Sequence, residues 1–131
     1  MPIKKLEHYT IRCTSMERTR EFYCDVLGLE VGDRPPLPFK GYWLYIGDTP
    51  VVHLLDKAEA EAAAGEGPRL GKDTAALDHI AFLGDDIEAT RAALRARDLQ
   101  FHEMAFPGVM LQIFVADPDN IMVELTFREA R

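Results

Sequence analysis

The chain has 131 residues, 47% of them hydrophobic, and a formal net charge of −7, which together indicate an ordinary globular protein. The negative charge argues against a nucleic-acid partner, because phosphates require a basic surface. No apolar run approaches the ~20 residues of a membrane-spanning helix, so we expect no contact with a membrane. The N-terminal residues lead straight into a strand pattern without an apolar leader, and we therefore expect a cytoplasmic protein.

The first part of the chain, residues 1–56, predicts one βαβββ unit. Residues 3–13 alternate apolar and polar positions, as a strand does. Ser15 is a suitable N-cap for a helix that ends at Gly28. Three strands follow, at Leu29–Val31, Tyr42–Ile46 and Val51–Leu55, with a proline-rich loop before the second of them.

The second part, residues 75–131, predicts the same order of elements after a linker at residues 57–74. The linker is rich in charge and alanine and then in glycine, which indicates a surface loop. The predicted elements are a strand at Leu77–Leu83, a helix from Asp86 to about Arg97, and strands at Phe101–Met104, Met110–Val115 and Ile121–Thr126. The chain is therefore expected to be a single α+β domain, 1–131, built from two βαβββ modules in tandem.

An internal repeat with an offset of 71 residues supports this division. It places His8 on His79 and His53 on Glu124. The helix after each first strand repeats as well, because Glu17, Thr19 and Arg20 correspond to Glu88, Thr90 and Arg91. Each unit therefore carries one potential metal ligand on its first strand and one on its last.

The four repeated residues are predicted to bind a divalent metal ion. Apolar residues flank His53 and Glu124 and directly follow His8 and His79. These apolar residues should pack under the helix of their unit, so the four candidate ligands should face away from that helix. If both sheets curl, His8, His53, His79 and Glu124 point into one concave space. Imidazole and carboxylate suit Ni²⁺, Co²⁺, Fe²⁺, Mn²⁺ or Zn²⁺. His102 has no counterpart at this offset, where Val31 stands, and is interpreted as a pocket or surface residue.

The sequence resembles the vicinal oxygen chelate superfamily, which includes glyoxalase I, bleomycin resistance proteins and extradiol dioxygenases. The resemblance implies paired βαβββ modules with cupped mixed sheets, helices on the outer face and a metal in the cup. It also implies a homodimer. The motifs that carry it are FY-x-x-VLG (Phe22, Tyr23, Val26, Leu27, Gly28) and D-P-[DN]-x₃-E (Asp117, Pro118, Asp119, Glu124).

The resemblance implies, as the first activity, a metal-dependent lyase or isomerase acting on a small substrate with vicinal oxygens. Such members stabilise an enediolate or enolate while a carboxylate transfers a proton. Their ligand positions match His8, His53, His79 and Glu124, although bacterial glyoxalase I has Glu where this chain has His53. Glu124 is then the only carboxylate at the metal and is the expected catalytic residue.

Two other activities remain open. An extradiol-type ring-cleaving dioxygenase would use His8, His79 and Glu124, but its active-site Tyr would lie near Phe114. A small-molecule binding or antibiotic resistance protein would sequester its ligand without turnover, although bleomycin-binding members usually lack the metal ligands. The candidate pocket walls are Trp43, Tyr45 and the turn at Phe106–Gly108, and the candidate anion-binding residues are Arg12, Arg34 and Lys40.

Overall fold

A computed structural model of the protein describes residues 5–64, 77 and 79–128. The chain divides into two compact units, residues 1–68 and 69–131. Each unit contains a four-stranded mixed sheet and a helix that follows the first strand, which confirms the tandem βαβββ fold. Among the helices in the described residues, none is long and apolar enough to cross a membrane.

The first unit has the strand order β1-β4-β3-β2, with β1 parallel to β4 and the other neighbours antiparallel. The predicted start of β1 was wrong for residues 5–8, because its ladder with β4 begins only at Tyr9, and residues 3 and 4 lie outside the described part. The elements are β1 (Tyr9–Cys13), α1 (Met16–Arg20) with a π-helical continuation (Glu21–Val26), β2 (Glu30–Gly32), β3 (Gly41–Ile46), β4 (Thr49–Asp56) and α2 (Lys57–Ala64).

The second unit repeats this order as β5-β8-β7-β6, again with only its first pair parallel. The first strand begins at Ile80 rather than at Leu77, since pairing with β8 starts there, and residue 78 lies outside the described part. His8 and His79 therefore lie immediately before their strands and not within them. The elements are β5 (Ile80–Leu83), α3 (Ile87–Ala96), β6 (Phe101–Phe106), β7 (Met110–Ala116) and β8 (Met122–Arg128).

The strand registers of the two units agree with the offset of 71. Thr10 is paired with His53, and Ala81 with Glu124. Along the opposite edges of β4 and β8, Trp43 of β3 is paired with His53, and Phe114 of β7 is paired with Glu124. The backbone therefore brings position 53 of one unit and position 124 of the other to equivalent places in their sheets.

The helices confirm the predicted caps but add a π-helical turn. The Ser15 hydroxyl accepts a bond from the Arg18 N–H at 3.3 Å, and the Asp86 carboxylate accepts one from the Ala89 N–H at 3.0 Å. After the helix of the first unit, the Leu29 N–H donates to the Tyr23 carbonyl. In the second unit the corresponding bond is one residue shorter, since the Leu99 N–H donates to the Leu94 carbonyl.

The π-helical turn adds one residue to the first unit and so changes the counterpart of His102 in the repeat. A π-helical turn accommodates one additional residue in a helix, so the offset falls from 71 to 70 at the next strand. His102 is paired with Phe114 as Gly32 is paired with Trp43. The counterpart of His102 is thus Gly32 and not Val31.

The core of each unit lies between its helix and one face of its sheet. Val52 and Leu54 of β4 are fully buried, and so are Tyr23 and Leu94 of the two helices. Because side chains alternate along a strand, the intervening His53 lies on the opposite face. We call the face that carries His53, and the face that carries Glu124 in the second unit, the ligand face.

The segment predicted as a linker contains α2 in its first half. The Asp56 carboxylate accepts a bond from the Glu59 N–H at 2.9 Å and so caps this helix. The helix packs against β4 and β1 of the first unit. The remainder of the predicted linker, residues 65–74, lies outside the described residues.

Candidate metal centre

The first unit brings together His8 and His53. Their imidazole rings are stacked, with centroids 3.8 Å apart and planes at 10°. The indole of Trp43 stacks on His53 at 4.2 Å and 11°. His53 therefore lies in a stack of three rings, and this contact follows directly from the pairing of β3 with β4.

Hydrogen bonds in the first unit fix which imidazole nitrogens can bind a metal. The His53 Nε2–H donates to the Pro50 carbonyl at 3.1 Å, which leaves Nδ1 with a lone pair. The His8 Nδ1–H donates to the Glu7 carboxylate at 3.0 Å, which leaves Nε2 as the acceptor atom. Carbonyl and carboxylate partners of this kind orient metal-binding histidines in proteins.

The surroundings of His53 in the stack disfavour its protonation. Burial lowers the pKa of His53, and the neighbouring charge of His8 lowers it further, with a smaller contribution from Arg34 in the same direction. The hydrogen bond to Pro50 and the charge of Glu7 act in the opposite direction. A neutral imidazole is the form that binds a metal ion, so burial favours the protonation state that ligation by His53 requires.

The second unit brings together His79 and Glu124. The His79 Nε2 lies 3.3 Å from Oε1 of Glu124, whose side chain is 11% exposed. Two ligands that sit about 2.1 Å from one ion at a right angle are themselves about 3 Å apart. The spacing of these two atoms therefore fits adjacent ligands of one ion.

Thr126 holds the other oxygen of the same carboxylate. Its hydroxyl donates to Oε2 of Glu124 at 2.6 Å, and both residues are buried. The two residues are separated by one position on β8, so both lie on the ligand face. Thr126 was missed in the sequence because its equivalent in the first unit is Leu55, and the repeat gave no polar pair there. The i, i+2 spacing of a hydroxyl and a carboxylate on one strand was the available signal.

Phe114 and His102 continue the ligand face of the second unit. The His79 ring meets the Phe114 ring edge to face at 6.1 Å. The His102 ring stacks on Phe114 at 5.2 Å and 13°. His102, exposed on β6, therefore lies one strand further from Glu124 than Phe114 does.

The four predicted ligands occur as two pairs, one in each unit. Within residues 5–64, 77 and 79–128, no three His, Cys, Asp or Glu side chains lie close enough together to hold a metal ion. Each pair alone offers donor atoms of suitable type, three imidazole nitrogens and one carboxylate in all. The stacked rings of His8 and His53 lie in nearly parallel planes, so their in-plane lone pairs cannot meet at one ion. Shared ligation therefore requires one of these rings to rotate out of the stack.

The other predicted pocket residues are placed as follows. The Tyr45 hydroxyl donates to the Asp33 carbonyl at 2.6 Å, and its ring lies over Gly32. Arg12 and Lys40 are exposed, whereas Arg34 is half-buried. The predicted turn at Phe106–Gly108 is a tight connection between β6 and β7, in which the Val109 N–H donates to the Phe106 carbonyl at 2.9 Å.

Comparisons with known proteins identify the family of the chain. The Glyoxalase/Bleomycin resistance protein/Dioxygenase superfamily matches residues 5–125. Glyoxylase I 4 of Arabidopsis thaliana is 28% identical over 127 residues, which are 94% of this chain and 70% of that protein. Lactoylglutathione lyase of Schizosaccharomyces pombe is 26% identical over 144 residues, covering 95% of this chain and 48% of the yeast protein. The chain thus spans about half the length of the yeast enzyme.

Solved structures share the fold. The crystal structure of lactoylglutathione lyase from Agrobacterium tumefaciens is similar with a TM-score of 0.69 and 23% identity. The match covers 96% of this chain and 95% of that one. The superfamily description includes a resistance protein and dioxygenases as well as glyoxalase, so membership alone does not select an activity.

Proposed function

Because the chain belongs to the Glyoxalase/Bleomycin resistance protein/Dioxygenase superfamily, we propose that it is a divalent-metal-dependent lyase or isomerase. Its substrate is a small molecule with two neighbouring oxygens, one of them a carbonyl. The ligands of the ion are His8, His53, His79 and Glu124. A bound ion of this kind supplies Lewis-acid polarisation of the substrate oxygens.

The observation that carries the proposal is the arrangement around Glu124. One carboxylate oxygen faces His79 at 3.3 Å, and the other accepts the Thr126 hydroxyl at 2.6 Å. A carboxylate held in this way keeps a fixed orientation and retains further lone pairs for a proton. Glu124 is thus suited to take a proton from the carbon next to a carbonyl and to return it.

The Glu124→Gln variant tests this role. An amide retains an oxygen that can ligate but is a poor base, so we expect metal binding to persist. We expect proton exchange to fall by about 100-fold or more, since a general base typically contributes that much. The measurement is uptake of solvent deuterium by α-hydroxy carbonyl compounds and acyl thioesters, followed by proton NMR. Glu30→Gln, which changes an exposed carboxylate on β2, is the matched control. Unchanged exchange in Glu124→Gln would disprove the assignment.

A ring-cleaving dioxygenase is the second candidate, with His8, His79 and Glu124 as its three ligands. The observation that favours it is the stack around His53, whose ring lies between Trp43 and His8 and bonds to Pro50. Against it, Phe114 is the cross-strand partner of Glu124 and offers no hydroxyl. The dioxygenase would consume O₂ with a catechol in the presence of Fe²⁺ or Mn²⁺, and His53→Ala would leave its metal content unchanged. Oxygen uptake without deuterium exchange would replace our first proposal.

We also propose that the protein forms a homodimer. Several large apolar side chains of the second unit are exposed, among them Leu83 and Val109 at 73% and 50%. A stable dimer buries about 1,200 Å² or more, and such side chains are suited to that interface. Sedimentation at micromolar concentration measures the state directly. A monomer would contradict the dimer without affecting the chemistry proposed for Glu124.

A further inference from the structure

The guanidinium of Arg34 lacks an acidic partner in the part of the chain that the structure describes. Its Nη2 donates to the Phe39 carbonyl at 2.8 Å, and its Cζ lies 5.3 Å from the centroid of the Phe39 ring. Its Nε–H is buried and has no hydrogen-bond partner among the described residues. A guanidinium has five N–H donors, and burial of a charged donor without an acceptor is unfavourable. The guanidinium therefore has donors that are available to an anion.

Gly41 places this cation on the ligand face of the first unit. A Cβ at Gly41 would lie 2.9 Å from Nη2 of Arg34, so the guanidinium occupies the space that a side chain would fill. Gly41 and Trp43 are two positions apart on β3 and share a face. Trp43 in turn stacks on His53. Arg34 thus lies on the same face as Trp43 and His53, and its charge acts on His53.

The second unit has no such cation at the equivalent place. Position 112 corresponds to Gly41 and is Gln, so its own side chain occupies that part of the sheet. The connection between β6 and β7 is a tight turn, whereas the loop of the first unit runs over residues 33–40. In a protein with a net charge of −7, an arginine fixed on one ligand face is a specific feature of the first unit.

We propose that Arg34 binds a carboxylate of the substrate beside His53 and Trp43. This inference rests on the proposed function, and it narrows the substrate class to carboxylates that also carry neighbouring oxygens. A guanidinium edge, with Nε–H and one Nη–H in parallel, matches the two oxygens of a carboxylate. Because Nε is buried, binding requires a local movement around Arg34, and residues 35–38, which follow it, are all exposed.

NMR titration of the metal-free protein tests the proposal. Malonate is the carboxylate probe and inorganic phosphate the comparison anion. We expect malonate to shift the Arg34 Nε–Hε signal saturably and to bind at least ten-fold more tightly than phosphate. Absence of a saturable shift, or tighter binding of phosphate, would overturn the assignment of a carboxylate subsite.

Two variants and a control extend the test. Arg34→Gln should abolish malonate binding, and Arg34→Lys, which keeps the charge but loses the planar fork, should weaken it about ten-fold. Arg18→Gln, which removes an exposed arginine on α1, should leave it unchanged. Equal weakening in Arg18→Gln and Arg34→Gln would indicate a general charge effect and overturn the proposal. Circular dichroism of each variant separates loss of binding from loss of fold.

The malonate titration needs no metal, so it distinguishes failure of this inference from failure of the proposed function. If the chain binds malonate at Arg34 but shows no metal binding or proton exchange, the enzyme proposal fails and the subsite stands. If metal binding and proton exchange are found but Arg34→Gln has the same substrate KM as the wild type, the subsite is wrong.

Discussion

In the first unit, position 53 is an imidazole between two other rings; in the second, the equivalent position 124 is a carboxylate between an imidazole and a hydroxyl. The strand registers around the two positions are the same. The difference therefore arises from the side chains alone. It places two imidazoles and the cations Arg12 and Arg34 on one ligand face, and Glu124, the proposed proton acceptor, on the other.

The repeat preserves the positions of these two side chains in their sheets but not their chemical type. Under the proposed function, a second carboxylate at position 53 would compete with Glu124 for a proton and add negative charge to the metal. An imidazole at that position would remove this competition and assign the proposed proton transfer to the second unit. Changes in the two units should consequently have separable effects on metal binding, stability and proton exchange.

The largest expected effect is loss of metal when His79 is replaced. Residues that merely support metal ligands change affinity by about 10–100-fold, so His79→Ala should lower affinity by about 100-fold or more. His102→Ala, on the same sheet but stacked on Phe114, should leave affinity nearly unchanged. Isothermal titration calorimetry with Ni²⁺ or Co²⁺ measures both. Equal losses in the two variants would refute the predicted ligand set.

The next effect is on stability and distinguishes the two sheets at equivalent positions. In Gly41→Ala, the new Cβ would lie 2.4 Å from the Leu54 carbonyl oxygen, which is backbone and cannot turn aside. We expect the free energy of unfolding to fall by about 1–3 kcal/mol, as in other overpacked sites. Gln112→Ala in the second unit should change it by less than about 0.5 kcal/mol. Urea unfolding followed by circular dichroism provides both values, and an unaffected Gly41→Ala would show that β3 does not approach β4 so closely.

A smaller effect concerns Thr126 as a positioning residue for Glu124. Thr126→Val keeps the shape but removes the hydroxyl at 2.6 Å from Oε2, so the carboxylate loses its fixed orientation. We expect kcat for proton exchange to fall about ten-fold with little change in KM. Thr126→Ser, which retains the hydroxyl, should recover most of the rate. If the serine variant is as slow as the valine variant, packing rather than the hydrogen bond accounts for the loss.

The smallest effect is optical and concerns the stack in the first unit. Trp43 is the only tryptophan of the chain, and a protonated imidazole quenches an indole that it contacts. Because burial and the charge of His8 lower the pKa of His53, the midpoint of quenching in the metal-free protein should lie below the ordinary value of about 6.5. His53→Gln should remove this transition, whereas His102→Gln should not. A midpoint above 6.5 would contradict the environment described for His53.

The fold was predictable from the sequence because the repeat and the strand alternation indicate the same order of elements in each unit. The caps at Ser15 and Asp86 and the register of His53 and Glu124 follow from patterns that span only a few residues. The start of β1 was not predictable in this way, because alternation continues through residues 5–8 although their pairing with β4 does not.

The candidate site was predictable as a set of residues but not as a set of contacts. The repeat identified the four proposed ligands, yet the stacking of His8 on His53 depends on ring orientation, which no spacing specifies. Thr126 was not predicted as a site residue because the repeat aligns it with Leu55. Arg34 was one of three candidate cations; the register of β1 with β4 also puts Arg12 on the ligand face, whereas the close approach of Arg34 depends on the missing Cβ of Gly41.

The π-helical turn at Glu21–Val26 shows how the two halves tolerated unequal length as they diverged. A one-residue insertion that reached a strand would invert the order of inward and outward side chains along it. Here the helix retains the additional residue, and Gly32 and His102 still occupy equivalent places opposite Trp43 and Phe114. An additional residue in the helix therefore leaves the strand register of the sheet unchanged at these positions. The repeated halves could accumulate different side chains on a common backbone while each remained able to fold.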